Sequence, residues 1–284
     1  NEGLELTGKF YVLQNTPLKW NIDANISFNR NRIGGLKADQ FAQKLWSSAD
    51  EVFIQRNGCP IGAIYGYVED GFYDNLAEVM ASPSADIRAK GAGMIGEIKY
   101  RNFDDNPDIT SADRVIIGDT NPDFVYGLTS NFEWKGVTLS FFLQGSQGND
   151  IFNGNLMDMK MGNVGNITRE AYNTRWTEAN ATQAKWPKAV SGYERNMLIS
   201  NRYVEDGSYL KLKSLNIGYV WKPNFKGISN VNVYASATNL FTITGYSWFD
   251  PEVNAFGSDA SRRGVDVYSY PSSRTFSLGI KVDF

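Results

Sequence analysis

From Leu18 to Asn29 the chain alternates without error. Leu18, Trp20, Ile22, Ala24, Ile26 and Phe28 are apolar, whereas Lys19, Asn21, Asp23, Asn25, Ser27 and Asn29 are polar. Side chains of an extended strand project to opposite faces with a period of two, so this stretch specifies a strand with one oily and one wet face. The pattern returns at Tyr126, Leu128, Phe132 and Trp134, at Val137, Leu139, Phe141 and Leu143, and at Leu215, Ile217, Tyr219 and Trp221. It also returns at Val231, Val233, Ala235 and Ala237, and at Phe276, Leu278, Ile280, Val282 and Phe284. Seven long strands are therefore expected near 3–14, 18–29, 123–134, 137–147, 208–222, 230–241 and 273–284. Around Lys211, Leu212, Lys213 and Ser214 the parity slips, which predicts a β-bulge.

The connections decide the architecture. Tight turns at Asn15-Thr16-Pro17, at Lys135-Gly136 and around Pro223 and Gly227 alternate with long loops at about 30–122, 148–207 and 242–272. Short turns at one end and long loops at the other describe a transmembrane antiparallel β-barrel, whose tilted strands need about 9–11 residues. Aromatic placement agrees. Trp20, Trp134, Trp221 and Phe284 fall at the turn end of their strands, and Phe28, Phe124 and Phe276 near the loop end, as two interfacial girdles would. The polar positions Asn21, Asp23, Asn25, Thr129, Asn131, Ser140, Gln144 and Ser236 would then face the lumen. Seven strands ending in the periplasm place the start of the first outside the cell, so further strands are expected upstream or on another chain. The rival reading is a soluble or surface-attached glycan-binding β-protein, in which the apolar faces pack on a second sheet.

Composition narrows the chemistry. Histidine is absent, which removes Ser-His and Cys-His nucleophile pairs, and a single Cys59 excludes an intrachain disulfide framework. No catalytic constellation emerges, so the chain is not read as an enzyme. With 28 Lys plus Arg against 31 Asp plus Glu, the net charge of −3 gives no cationic surface for nucleic acid. Gly91, Gly93 and Gly96 spell G-x-G-x-x-G, but no strand precedes them, so they read as a flexible loop.

The first long loop is expected to hold helical stretches at 38–46 and Leu76–Ala81, with a hairpin at 52–55 and 61–67 turned by Asn57-Gly58 that would add two strands to the barrel. The second is expected to open a helix at 167–176 capped by Asn166. Trp248, Phe249, Tyr268 and Tyr270 form exposed-loop aromatic clusters that suit substrate stacking or small loop cores. Asn102, Asp104, Asn106 and Asp113 match positions 1, 3, 5 and 12 of a calcium loop, with Thr110 at position 9. Pro107 stands where the usual Gly permits the turn, so Ca²⁺ loop and solvated acidic turn both remain open; no other cofactor is indicated.

The motifs taken together resemble one family. The run from Gly118-Asp119-Thr120-Asn121-Pro122-Asp123 to Gly127, then Phe141-Phe142-Leu143-Gln144-Gly145-Ser146-Gln147-Gly148-Asn149-Asp150, is similar to the SusC/RagA-type TonB-linked outer-membrane transporters. So are Tyr203-Val204-Glu205-Asp206-Gly207-Ser208-Tyr209, Ala237-Thr238-Asn239-Leu240-Phe241 and the closing Arg274 to Phe284. The resemblance implies the C-terminal portion of a barrel of about 22 strands, closed by an N-terminal plug. It further implies a TonB box, a SusD-like surface lipoprotein as lid, TonB-driven import of oligosaccharide or peptide, and residence in the outer membrane of a Gram-negative bacterium. Plug and TonB box are not in this chain.

Overall fold

The computed structural model describes residues 1–44, 51–161, 166–190, 194–224, 227–257 and 259–284. β1 (Glu2–Leu13) and β2 (Leu18–Arg30) form a first hairpin. The loop after it carries β3 (Gln40–Lys44), β4 (Glu51–Gln55), β5 (Ala63–Gly66), β6 (Glu69–Phe72), α1 (Leu76–Ala81), α2 (Ala85–Lys90), β7 (Ile98–Tyr100) and β8 (Val115–Asp119). β9 (Phe124–Trp134) and β10 (Val137–Gln147) form the second hairpin, followed by β11 (Asp150–Asn153), α3 (Gly154–Met161), α4 (Arg169–Thr174) and β12 (Val204–Asp206). β13 (Tyr209–Trp221) and β14 (Asn230–Thr244) form the third, and β15 (Val265–Asp266) precedes β16 (Thr275–Asp283).

The seven long strands make one antiparallel sheet in the order β1-β2-β9-β10-β13-β14-β16. Each lies within three residues of its expected bounds. All long loops leave one end of the sheet and all tight turns lie at the other. The β9–β10 turn has Lys135 and Gly136 both at positive φ (47° and 87°), the type I′ geometry whose twist matches that of the flanking strands.

Register keeps the faces separate across all seven strands. On one face Phe10 pairs Ile22, Trp20 pairs Phe132, Phe132 pairs Leu139, Leu139 pairs Ile217, Ile217 pairs Ala235, and Ala235 pairs Leu278. The expected bulge is present: register shifts between Leu212 and Ser214 of β13 against β14. Without it the parity of β13 would invert, and Lys211 would point to the oily side; with it, Lys211 pairs Gln144 on the wet side and Leu212 pairs Leu143 on the oily side.

The oily face is uncovered. Leu278 is 80% exposed, Ile280 and Phe276 69%, and Trp20, Ile22 and Leu139 are half-buried against strand neighbours. The buried core lies in the loops instead, where Val52, Phe53, Ile64, Tyr67, Phe72, Ile98 and Tyr100 of the first loop pack with Phe152, Trp176, Trp186, Ile199 and Tyr203 of the second and Val265 of the third. A water-soluble sheet would put its apolar face there. This arrangement is the inverse, and it overturns the reading of a soluble β-protein with a second sheet over the first.

Three loop expectations are corrected. Stretch 38–46 is not helical where it is described: Gln40–Lys44 is a strand, because β4 has β5 on one side only and its backbone groups need partners on the other. Leu45 and Trp46 lie outside the described residues. The 52–55/61–67 hairpin forms, but it belongs to the sheet β3-β4-β5-β8, since Val52, Phe53, Ile54 and Ile64 are buried on both faces and cannot serve a two-sided barrel wall. The helix near 167–176 is confined to Arg169–Thr174 and is capped by Thr168, whose side chain accepts from Ala171 N–H. α1 spans Leu76–Ala81 as expected, capped by Asn75.

Candidate functional site

The wet face of the sheet is a polar wall. Asn21 pairs Asn131, Asp23 pairs Thr129, Ser140 pairs Asn131 and Asn216, and Ser236 pairs Asn216, so the eight expected lumen positions share one face. Side-chain hydrogen bonds cross it, from Asn131 Nδ2 to Asn21 Oδ1 at 2.9 Å and from Lys19 Nζ to Glu133 Oε1 at 3.0 Å. On the oily face the Trp20 indole N–H finds the Ser130 hydroxyl at 2.9 Å, which satisfies a donor that hydrocarbon would leave bare.

The third loop is tied to this wall by charge. Lys211, 1% exposed, donates to Asp250 Oδ1 at 2.8 Å and to Glu252, and Lys213 donates to both Glu252 oxygens at 2.8 and 2.9 Å. Tyr209 O–H donates to Glu252 Oε1 at 3.1 Å. Burial pushes the carboxyls of Asp250 and Glu252 up, but the lysine ammonium groups outweigh it and hold both below the usual carboxylate range. Above these pairs lies a cleft of about 440 Å³ lined by Asp250, Glu252, Asn254, Tyr268, Ser269, Tyr270 and Ser272, among others.

Tyr268 and Tyr270 are therefore brought together in one cleft, and Tyr270 is 91% exposed. Trp248 and Phe249 pack edge-on, with ring centroids 5.1 Å apart, and are not part of that lining. A larger opening of about 710 Å³, lined by Ser27, Asn29, Arg30, Asn121 and Arg263, sits where the wall meets the loops. Sequence reasoning missed it, because its walls come from segments that share no motif.

The first and second loops are locked together by Glu69 and Arg202. Arg202 Nε donates to Glu69 Oε1 at 2.9 Å, its terminal nitrogen reaches Oε2, and the guanidinium lies over the rings of Trp186 and Phe72. Gly96, the last glycine of G-x-G-x-x-G, has φ 83° and packs so closely on Trp176 that a Cβ would come within 2.6 Å of the ring. Its role is loop packing.

At the calcium-like turn, Asn102, Asp104 and Asn106 each accept from a backbone N–H two residues on, at 3.1, 2.8 and 3.1 Å. Asp113, wholly buried, takes the N–H of Phe103 on one oxygen and that of Thr110 on the other, at 2.7 and 2.8 Å. The turn is a ladder of side-chain caps, and no group of three or more His, Cys, Asp or Glu among the described residues is placed to hold a metal ion.

An apolar belt facing outward, a polar inner wall, tight turns at one end and ordered loops at the other define a segment of transmembrane β-barrel wall. Comparison with known proteins agrees. No family model matches the chain, but the TonB-dependent receptor P3 of Formosa agariphila is 33% identical over 300 residues, covering all of this chain and 28% of that protein. The TonB-dependent receptor SusC of Bacteroides thetaiotaomicron is 26% identical over 297 residues, covering all of this chain and 26% of SusC. Among solved structures, the RagAB peptide importer in its open-open state aligns with TM-score 0.71 at 21% identity, over 99% of this chain and 28% of that one. Its closed-closed state aligns with TM-score 0.67 at 22% identity, over 99% and 29%. The chain belongs to the SusC/RagA type of TonB-dependent receptors, and it spans between 26% and 30% of the length of the curated relatives it matches.

Proposed function

We propose that this chain supplies the C-terminal barrel wall and extracellular loops, about 30–122, 148–207 and 242–272, of a SusC-like importer in the outer membrane of a Gram-negative bacterium. It carries out no covalent chemistry. The importer takes up glycan oligomers or peptides together with a SusD-like surface lipoprotein. Energy comes from TonB acting through the plug, which lies outside this chain. The polar wall wets the passage, and the loop aromatics Trp248, Phe249, Tyr268 and Tyr270 meet the substrate at its mouth.

The observation that carries this reading is the inverted distribution of apolar residues: a continuous belt on the outer face of seven strands, and a hydrophobic core confined to the loops. Deleting the receptor gene that encodes the chain in its host should leave growth on simple monomers intact and abolish growth on the cognate oligomer, and in the parent strain the receptor should be recovered in the outer-membrane fraction. Recovery in the soluble fraction, or unimpaired growth on every oligosaccharide and peptide source, would contradict the proposal.

A further inference from the structure

Two arginines, Arg30 and Arg263, line the opening of about 710 Å³ where the wall meets the loops, and each joins a fixed backbone to an idle side chain. Ser27 and Asn29, which share the strand parity of Asn21, Asp23 and Asn25, line it too, so the opening lies on the polar side of the sheet. Arg30 ends β2. Asn29 before it pairs Gly3, and Asn31 after it is locked, its Oδ1 accepting the Ile61 N–H at 2.7 Å and its Nδ2 donating to Asn121 Oδ1 at 3.0 Å. Arg263 is pinned in the same way. Ahead of it, the Asp259 carboxylate accepts from the Ser261 N–H at 2.9 Å and from Arg262 Nε at 2.7 Å. Behind it, the Gly264 carbonyl accepts the Phe152 N–H at 2.8 Å, and Gly264 packs so closely on Thr120 that a Cβ would come within 2.7 Å of that side chain. The two guanidinium groups themselves are exposed and have no hydrogen bond or ion pair among the described residues. Other loop arginines are spent on the fold: Arg56 holds Asp39, Arg195 the Ile98 carbonyl, Arg202 Glu69, and Arg262 Asp259. Glu2 is the one carboxylate side chain in the lining. It stands opposite Arg30 in the strand register without an ion pair among the described residues, so the lining side chains carry net positive charge in a chain whose formal charge is −3.

We infer that Arg30 and Arg263 form a subsite for an anionic oxygen group of the cargo, a carboxylate or a sulfate ester. The inference rests on the importer reading and adds a charge requirement that neither oligosaccharides nor peptides meet as a class. A guanidinium presents paired N–H donors that match the oxygens of either group, and an arginine whose backbone is already fixed loses less freedom on binding. The Ser27 hydroxyl accepts from Asn29 Nδ2 at 2.9 Å, which leaves its own O–H free to donate to the same anion. An opening of this size takes a sugar or amino-acid unit together with its charged group. Two cations on one partly enclosed surface also raise the local concentration of anionic cargo, whereas a neutral oligomer would gain nothing from them.

The test uses the intact receptor in detergent at low salt, titrated calorimetrically with three anionic probes, each beside its uncharged counterpart: hexagalacturonate and its methyl ester, a κ-carrageenan hexasaccharide and its desulfated form, and hexaglutamate and hexaglutamine. At least one anionic probe should bind, more tightly than its counterpart by about tenfold or more, and should lose most of that advantage in high salt. The pair that shows it identifies the source as a sugar acid, a sulfate ester or a peptide carboxylate. Arg30→Gln and Arg263→Gln should each weaken this binding about tenfold, and Glu2→Gln, which removes the opposing charge, should tighten it about threefold. All three should keep the wild-type melting temperature, because the replaced groups hold nothing in the fold. Arg169→Gln, which removes an exposed charge outside the lining, should leave affinity unchanged. Equal affinity within every pair, or no binding of any anionic probe, overturns the charge requirement. Unchanged affinity in both Arg30→Gln and Arg263→Gln overturns the subsite itself. Either result leaves the importer reading standing, because that reading fails only on localisation and growth.

Discussion

Lys211 Nζ lies 2.8 Å from Asp250 Oδ1, joining the inner wall of β13 to a loop 39 positions later. The lysine is almost wholly buried, and its second partner is Glu252. Replacing it with methionine leaves Asp250 without an ammonium partner in a partly buried site and Glu252 with Lys213 alone, at a cost of about 3 kcal/mol. Lys211→Met should lower the melting temperature of the receptor and open the segment 245–274 to limited proteolysis. A variant that melts and resists protease like the wild type would show that the ion pairs do not hold the loop. The paired carboxyls titrate below their usual range, so their contribution is whole above that range and is lost as pH falls through the lowered values.

Glu97 has the opposite sign. It is wholly buried, neither carboxylate oxygen has a hydrogen-bond partner among the described residues, and its nearest charge is Lys188 Nζ at 3.5 Å, with Arg195 further off. Burial pushes this carboxyl above its usual 4.5, more than the Lys188 ammonium lowers it. The folded state then holds the proton more tightly than the unfolded chain, and stability declines as pH rises from 4.5 through the raised value. Glu97→Gln should flatten that part of the stability–pH curve and raise stability at its alkaline end. An unchanged slope in thermal melts across the range would contradict the assignment.

The Asn102–Asp113 turn closes through backbone amides. Asp113→Ala leaves the partly buried N–H groups of Phe103 and Thr110 without their acceptor and should cost about 1 kcal/mol. Chelation with EGTA, or addition of Ca²⁺, should leave the wild-type melting temperature unchanged. A rise on adding Ca²⁺ that Asp113→Ala abolishes would make the turn a metal site.

The barrel strands were legible in the sequence because the bilayer imposes a strict period of two on every spanning residue, and even the slip at Lys211 to Ser214 marked its bulge. The loops follow no such period. Phe41 and Ala42 look helical until β4 is seen to lack a second neighbour, and Asn166 looks like a cap until Thr168 is seen to occupy the place. Tyr268 and Tyr270 could be singled out as exposed aromatics. Asn155 and Arg202 could not, because each acts through a partner from a distant segment, which no local pattern encodes.

The orientation of the sheet faces is tested most directly by nitroxide scanning of β16 in lipid bilayers. In a Cys59→Ser background, spin labels at residues 276, 278, 280 and 282 should relax strongly with oxygen and weakly with a water-soluble nickel complex, and labels at 277, 279 and 281 should do the reverse. That alternation would place Phe276, Leu278, Ile280 and Val282 against hydrocarbon. Labels at those four positions that are inaccessible to both reagents would place the belt inside a protein core and contradict the account.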